Sequence, residues 1–202
     1  MTEKQSRKRG AELETEILIS AIQLLEEIGY DNLTYAAIAT RAQTSRSVLY
    51  RRWDSIIELL HDAVTHQIKQ TGSGNFLVDT TNTGKLRDDI LSIVSHFYRS
   101  ASTAGDEYMK ATMLELARRN PYMQQLVGRA QTANNNVMNT IYLRALERGE
   151  ITQVPNESIR TLPFELLRYR MFVVSNLSEI APTEIEALID DIVMPAVKAA
   201  QK

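Results

Sequence analysis

The stretch TSRSVLYRRW, residues 44–53, packs three arginines, three small hydroxyl residues and two aromatics into ten positions with no acid among them. The chain as a whole carries 25 Asp plus Glu against 23 Lys plus Arg, so a net charge of -2 conceals a local cationic segment. From Thr34 to Trp53 the only charged residues are Arg41, Arg46, Arg51 and Arg52. A second basic cluster, Lys4, Arg7, Lys8 and Arg9, stands ahead of it and is opposed only by Glu3. This balance argues against a protein that coats nucleic acid over its whole surface and leaves room for one basic face.

Working outward from that stretch, the local signals are helical. Thr34 is a good N-cap for a short helix through Ala36, Ala37, Ile38 and Ala39 to about Arg41, AQT makes a turn, and Ser45 can cap the next helix. Upstream, ELETEILISAIQLLEEIG places Leu13, Ile17, Ala21, Leu24 or Leu25 and Ile28 on one amphipathic stripe that Gly29 ends. Downstream, Ser55 and Glu58 read as a capping box opening SIIELLHDAVTHQIKQ. Two short helices joined by a tight turn, the second one basic, form the pattern of a helix-turn-helix unit. In it Val48 and Leu49 face inward, and Ser45, Arg46 and Ser47 lie at the end whose free amides and positive dipole favour phosphate.

The order and spacing over about residues 13–60 resemble the TetR family of transcriptional regulators. The resemblance is carried by ILISAIQLLEEIGYDNLT, Ile38 and Ala39, the turn AQT, and SRSVLYRRW followed by SIIELL. Its most specific element is Leu49-Tyr50 with an aromatic three residues later. Two positions depart from the family pattern: Gln43 replaces the usual turn glycine, which implies a strained turn, and Ile56 replaces a lysine expected to open the fourth helix. The resemblance implies that Thr34, Tyr35 and Tyr50 touch phosphates and that Ser45, Arg46 and Ser47 face the major groove. Arg46 is the candidate for base readout, because its planar fork can bind one guanine edge twice. Arg51 and Arg52 are candidates for backbone phosphate. Trp53 reads as a core aromatic, Arg41 as a surface charge, and the N-terminal basic run either as an arm reaching a neighbouring groove or as a solubility tail.

The fold expectation is all-α, with about nine helices. Residues 1–54 are expected to form an arm and DNA-binding domain, 55–70 a connecting helix, 71–84 a flexible loop rich in Gly, Thr, Ser and Asn, and 85–202 a regulatory and dimerisation domain. Pro121, Pro155 and Pro182 stand at or near helix starts, whereas Pro163 and Pro195 fall inside helical patterns. RNPYMQQLV, RALERGEI and LPFELLRYRMF resemble a regulatory-domain branch of the same family. That resemblance implies a small-molecule effector and a homodimer formed by the last two helices. Dimer candidates are Leu162, Leu166, Phe172, Val173, Leu188 and Ile192, on helices with more apolar surface than one stripe needs. Adaptable apolar walls for an effector are offered by Phe97, Tyr98, Met109, Met113, Met123, Met138, Tyr142 and Phe172, with polar selectivity from Asn134, Asn135, Asn136, Arg168 or Arg170. The same residues also read as ordinary core.

An enzyme is not expected. His61, His66 and His96 lack the spacing of a helical zinc site, GSGN at 72–75 lacks the context of a phosphate cradle, and no nucleophile elbow occurs. No metal or cofactor is expected, and with no cysteine neither disulfides nor thiolate sites are available. No signal peptide or membrane span is read, so the expectation is a soluble, cytoplasmic protein. Its partners would be an operator in double-stranded DNA, an effector and a second copy of the chain. The alternative is a helical adaptor that binds protein through the basic N-terminal face.

Overall fold

The computed structural model describes residues 10–70, 82–174 and 179–201. The N-terminal basic run, the GSGN segment and most of the 71–84 loop lie outside the described residues. Among those described there is no strand, and no helix is long and apolar enough to cross a membrane.

The order is α1 (Ala11–Ile28), a 3-10 turn (Tyr30–Asn32), α2 (Tyr35–Arg41), α3 (Arg46–Tyr50), α4 (Ile56–Gln70), α5 (Leu86–Thr103), α6 (Asp106–Ala117), α7 (Pro121–Glu147) and α8 (Glu157–Tyr169). A π-turn, Arg170–Val174, extends α8. The last helix, α9, begins at Pro182–Leu188, passes through a second π-turn at Ile189–Val193 and ends with Met194–Ala199. Local chemistry sets most of these limits. Gly29 takes φ 72 and closes α1 by donating its N–H to Leu25 O, a backbone that glycine adopts without strain. Thr34 caps α2 through Oγ1, which accepts from Ala37 N at 3.1 Å. Ser55 Oγ accepts from Glu58 N at 3.3 Å while Glu58 accepts from Asp54 N at 2.9 Å, so the box at the head of α4 closes one residue earlier than a standard one. Pro121 and Pro182 open α7 and α9, and Pro163 lies inside α8.

The chain forms two compact units. One contains α1 to α4 together with α6; the other contains nearly all of α5 and of α7, followed by α8 and α9. Residues 103–122 therefore group with the N-terminal helices, beyond the 71–84 loop. In the first unit, Ile17, Ala21, Ile38, Leu49, Ile57, Leu59 and Leu60 form a dry core, in which each large aliphatic side chain contributes ~1.5–3 kcal/mol relative to exposure. The second unit closes around Ile90, Val94, Met138, Ile141, Tyr142, Phe164, Leu167 and Val193.

Candidate functional site

The reading head of the first unit is held by Trp53, only 3% exposed. Its indole Nε1 donates to Asp62 Oδ2 of α4 at 2.9 Å, and its carbonyl accepts the Tyr35 hydroxyl of α2 at 2.9 Å. Trp53, three residues beyond α3, thus ties three helices together, as expected of a core aromatic. Leu49 anchors α3 at 0% exposure, Val48 is half-buried, and Ala42 and Ala39 fill the crossing with α2. Ala36, on the same helix, is exposed. Gln43 carries φ 51, so the turn is built on a left-handed residue without glycine, which is disfavoured for a side chain with a Cβ.

Outward from this frame the four arginines separate into two kinds. Arg41 donates twice to Glu27 of α1, at 2.6 and 2.5 Å, and this hydrogen bonding holds the Glu27 carboxyl below its ordinary value. Arg52 is paired with Glu14, also on α1, at 2.5 Å. Arg46 and Arg51 are exposed, and no carboxylate or hydrogen-bond partner reaches them among the described residues. Tyr50, one turn beyond Arg46, is 60% exposed, with its ring 4.6 Å from that of Tyr35. Ser45 occupies the N-cap position of α3 but makes no cap bond; its hydroxyl lies 2.8 Å from Ser47 Oγ. Thr34 is exposed, and because its Oγ1 serves as an acceptor in the cap, its own proton remains for donation.

Two of the expected phosphate contacts are already engaged within the head. Tyr35 is turned inward at 9% exposure with its hydroxyl donating to Trp53 O, and burial pushes its pKa up to about 12. Arg52 is not a free cation but is bound to Glu14, an exposed pairing of modest strength that a phosphate can compete for.

The sequence pattern described as "Bacterial regulatory proteins, tetR family" matches residues 17–63, covering this head. The pattern described as "Tetracyclin repressor-like, C-terminal domain" matches residues 80–192. The chain belongs to the TetR family. An uncharacterized HTH-type transcriptional regulator of Mycobacterium tuberculosis is 31% identical over 186 residues, 91% of this chain and 87% of its relative. Among solved structures, the Flavonoid-responsive Regulator FrrA superposes with TM-score 0.65 at 16% identity, covering 95% of this chain and 98% of FrrA. The regulator FadR from Bacillus subtilis, solved in complex with stearoyl-CoA, gives TM-score 0.63 at 18% identity over 90% of this chain and 96% of FadR. As a TetR-family member the protein is a DNA-binding transcriptional regulator and not an enzyme.

In the C-terminal unit of this TetR-family chain, the apolar residues expected to line one effector cavity are dispersed. Met109 and Met113 belong to α6 in the first unit, and Met113 is 43% exposed. Met123, Met138 and Tyr142 are buried, the last two as central members of the second core. Phe97 and Tyr98 pack against that core, and the Tyr98 hydroxyl accepts from Ile180 N at 2.7 Å. A cavity of about 330 Å³ within the first unit is lined by Ile22, Leu25 and Glu26 of α1 and by residues 104–108 and Lys110; it contains none of the expected side chains. Spacing identifies apolar faces but not which of them meet, and here Met123 and Met138 are core. Of the polar candidates, Asn135 accepts from Arg160 Nε at 3.1 Å, Asn136 is exposed, Arg170 approaches Glu184 at 3.7 Å, Asn134 Nδ2 is buried without a hydrogen-bond partner, and Arg168 is half-buried with no carboxylate against it.

Of the dimer candidates, Leu188 is 1% exposed and belongs to the core. The π-turn that follows it brings Val193, five residues on, into the core and leaves Ile192 at the surface, so the face that regular spacing would give to Leu188 and Ile192 together is split. Leu162, Leu166 and Phe172 are half-buried, Val173 is 61% exposed and Ile192 is 40% exposed. Tyr169 at 57% and Val174 at 58% join them; a tyrosine counts weakly in an apolar stripe, and Val174 lies in the π-turn, off the regular spacing. His61 Nδ1 lies 3.0 Å from the Tyr108 hydroxyl, and burial lowers the pKa of this histidine. No group of three His, Cys, Asp or Glu arranged to hold a metal occurs among the described residues.

Proposed function

We propose that the protein is a repressor that binds an inverted-repeat operator as a homodimer and is released by a small molecule. The observation that carries DNA reading by this face is the pair of exposed, unpartnered arginines on and just after α3. In this reading Arg46, with Ser45 and Ser47, meets base edges in the major groove, and Arg51, Tyr50 and Thr34 hold phosphates on either side. Arg52 joins them only by exchanging Glu14 for a phosphate. The adaptor alternative gives way to membership in a family of DNA-binding regulators.

The dimer is supported by the succession Leu162, Leu166 and Tyr169 along α8, at steps of four and three residues that share one helix face, followed by the exposed Val173 in the π-turn that extends it. Two such faces, with Ile192 of α9 beside each, would pair into a four-helix bundle about a two-fold axis. Half-sites lie about 34–36 Å apart, or a multiple of that, so an effector that alters the separation of the two heads lowers affinity for both together. FadR, solved with stearoyl-CoA, and FrrA, described as flavonoid-responsive, favour a small-molecule effector for this chain too.

Selection of bound duplexes from a random pool tests the proposal. Enriched sites with two-fold symmetry are expected; enrichment of single, unpaired half-sites overturns the dimeric reading.

A further inference from the structure

The C-terminal unit encloses polar groups that its own folding leaves unpaired. The Tyr142 hydroxyl is 0% exposed within the apolar core and has no hydrogen-bond partner. Asn134 Nδ2, on a side chain 4% exposed, and the buried Ser100 Oγ are likewise without partners. Asn134, Met138 and Tyr142 follow one another at four-residue steps and so lie on one face of α7, spanning about 12 Å. Orphaned polar groups in a low-dielectric interior are costly and are normally satisfied by water or a ligand.

A charged group stands on the neighbouring helix. Arg168 of α8 is half-buried with its Cζ 5.7 Å from the centroid of the Phe97 ring. No carboxylate or hydrogen-bond partner reaches it among the described residues, and the charge acting on it, Glu165, does not offset the desolvation that lowers its pKa. Arg160, two turns earlier on the same helix, behaves differently: it donates to Asn135 Oδ1 and to Pro155 O, both at 3.1 Å. The three helices are in contact here. Phe97 of α5 meets Phe164 of α8 edge to face at 5.3 Å, Ser100 lies one turn beyond Phe97, and the charge of Arg160 reaches Tyr142 of α7. Each orphan can donate a hydrogen bond, and the amide nitrogen and the guanidinium can only donate. The missing partner is therefore an acceptor, and beside a desolvated cation it is an anion.

We infer that Arg168, with Ser100 one turn beyond the Phe97 ring it covers, forms the polar end of the effector site, with Asn134 and Tyr142 as further donors along the α7 wall, and that the effector is an anionic amphiphile whose carboxylate pairs with Arg168 while its apolar body packs on Phe97 and Phe164. This rests on the reading of the C-terminal unit as effector-responsive. A neutral ligand leaves the guanidinium unpaired, and a cationic one adds repulsion to desolvation.

The test uses the full-length protein with octanoate, decanoate and dodecanoate against alcohols and primary amines of the same lengths, measured by calorimetry and by release from a selected operator. The carboxylates are expected to bind at least about tenfold more tightly than the alcohols, the value of one charge-assisted bond. Arg168→Met removes that margin and leaves alcohol binding unchanged, whereas Arg168→Lys retains part of it. Tyr142→Phe weakens carboxylate binding and raises the melting temperature of the ligand-free protein. Alcohols or amines that bind as well as carboxylates, carboxylate binding indifferent to Arg168, or no binding by any probe overturns the inference. Tyr142→Phe with unchanged affinity makes that hydroxyl a water site and removes it from the proposal. Release of operator by an alcohol or amine while carboxylates are inert overturns the anion and leaves effector control standing. Arg168-dependent carboxylate binding without release supports the site and overturns effector control.

Discussion

In the reading head, the outward-facing chemistry is contiguous in the chain: Arg46, Ser47, Tyr50 and Arg51 fall within one short helix and its cap. In the C-terminal unit, the unpaired polar groups come from three helices, with Ser100 on α5, Asn134 and Tyr142 on α7, and Arg168 on α8. Both regions place cations beside aromatics, Arg46 near Tyr50 and Arg168 over Phe97, yet they leave them in different media. The head's free arginines stand in water, where they cost little and wait for a phosphate or a base edge. Arg168 is partly withdrawn from water, and an unpaired charge there carries a desolvation penalty. A surface reader can be built from local signals alone, whereas an enclosed site requires distant segments to converge.

The largest expected effect lies in the head. Arg46→Ala should cost roughly 1–3 kcal/mol of operator affinity and relax preference at one base pair per half-site; quantitative binding to a panel of single-base operator variants checks it, and an unchanged preference removes Arg46 from base readout. Next, Tyr35→Phe should cost about 1 kcal/mol of stability, the worth of its bond to Trp53 O, with an unchanged salt dependence of DNA binding. Urea unfolding alongside a salt titration decides this, and a flattened salt slope in that variant would return Tyr35 to the phosphate contacts.

Smaller effects sharpen the division among the arginines. Arg51→Ala should weaken binding to all sequences about equally and reduce the salt slope by roughly one ion per subunit. Arg52→Ala should do less, because Glu14 already holds that guanidinium, and Glu14→Gln should strengthen non-specific binding by releasing it. Equal losses for Arg51 and Arg52 would erase the distinction. The smallest change is Gln43→Gly: relief of a left-handed residue at φ 51, partly offset by glycine's greater freedom when unfolded, gives a gain of less than about 1 kcal/mol. A lowered melting temperature would show that the Gln43 side chain contributes contacts worth more than the strain.

Much of the fold was legible because helix limits are written in local residues. Thr34, Ser55, Gly29, Pro121 and Pro182 mark the ends where the structure has them, and the limits of α2 and α4 fall within a residue of those read from caps and spacing. Pairing was not legible. That Glu27 meets Arg41 and Glu14 meets Arg52 depends on how α1 crosses the head, over separations of 14 and 38 residues. The direction of Tyr35 was likewise hidden, since a residue at the start of a helix can face either way until its neighbour, here Trp53, is placed. In the second unit, regular periodicity failed at Leu188 because a π-turn intervenes, and it could not tell a core methionine such as Met138 from a ligand wall. The grouping of α6 with the N-terminal helices also has no local signature.

The claim that Arg46 of α3 reads a guanine edge is tested most directly by a protein-DNA double-substitution cycle. Replacing the conserved guanine of each half-site in the selected operator by 7-deazaguanine removes one acceptor without altering base pairing. The account predicts that this base change weakens the wild-type protein about tenfold and has no further effect on Arg46→Ala, so that the two losses overlap. Losses that simply add would contradict it, because they would place the base contact on some other side chain.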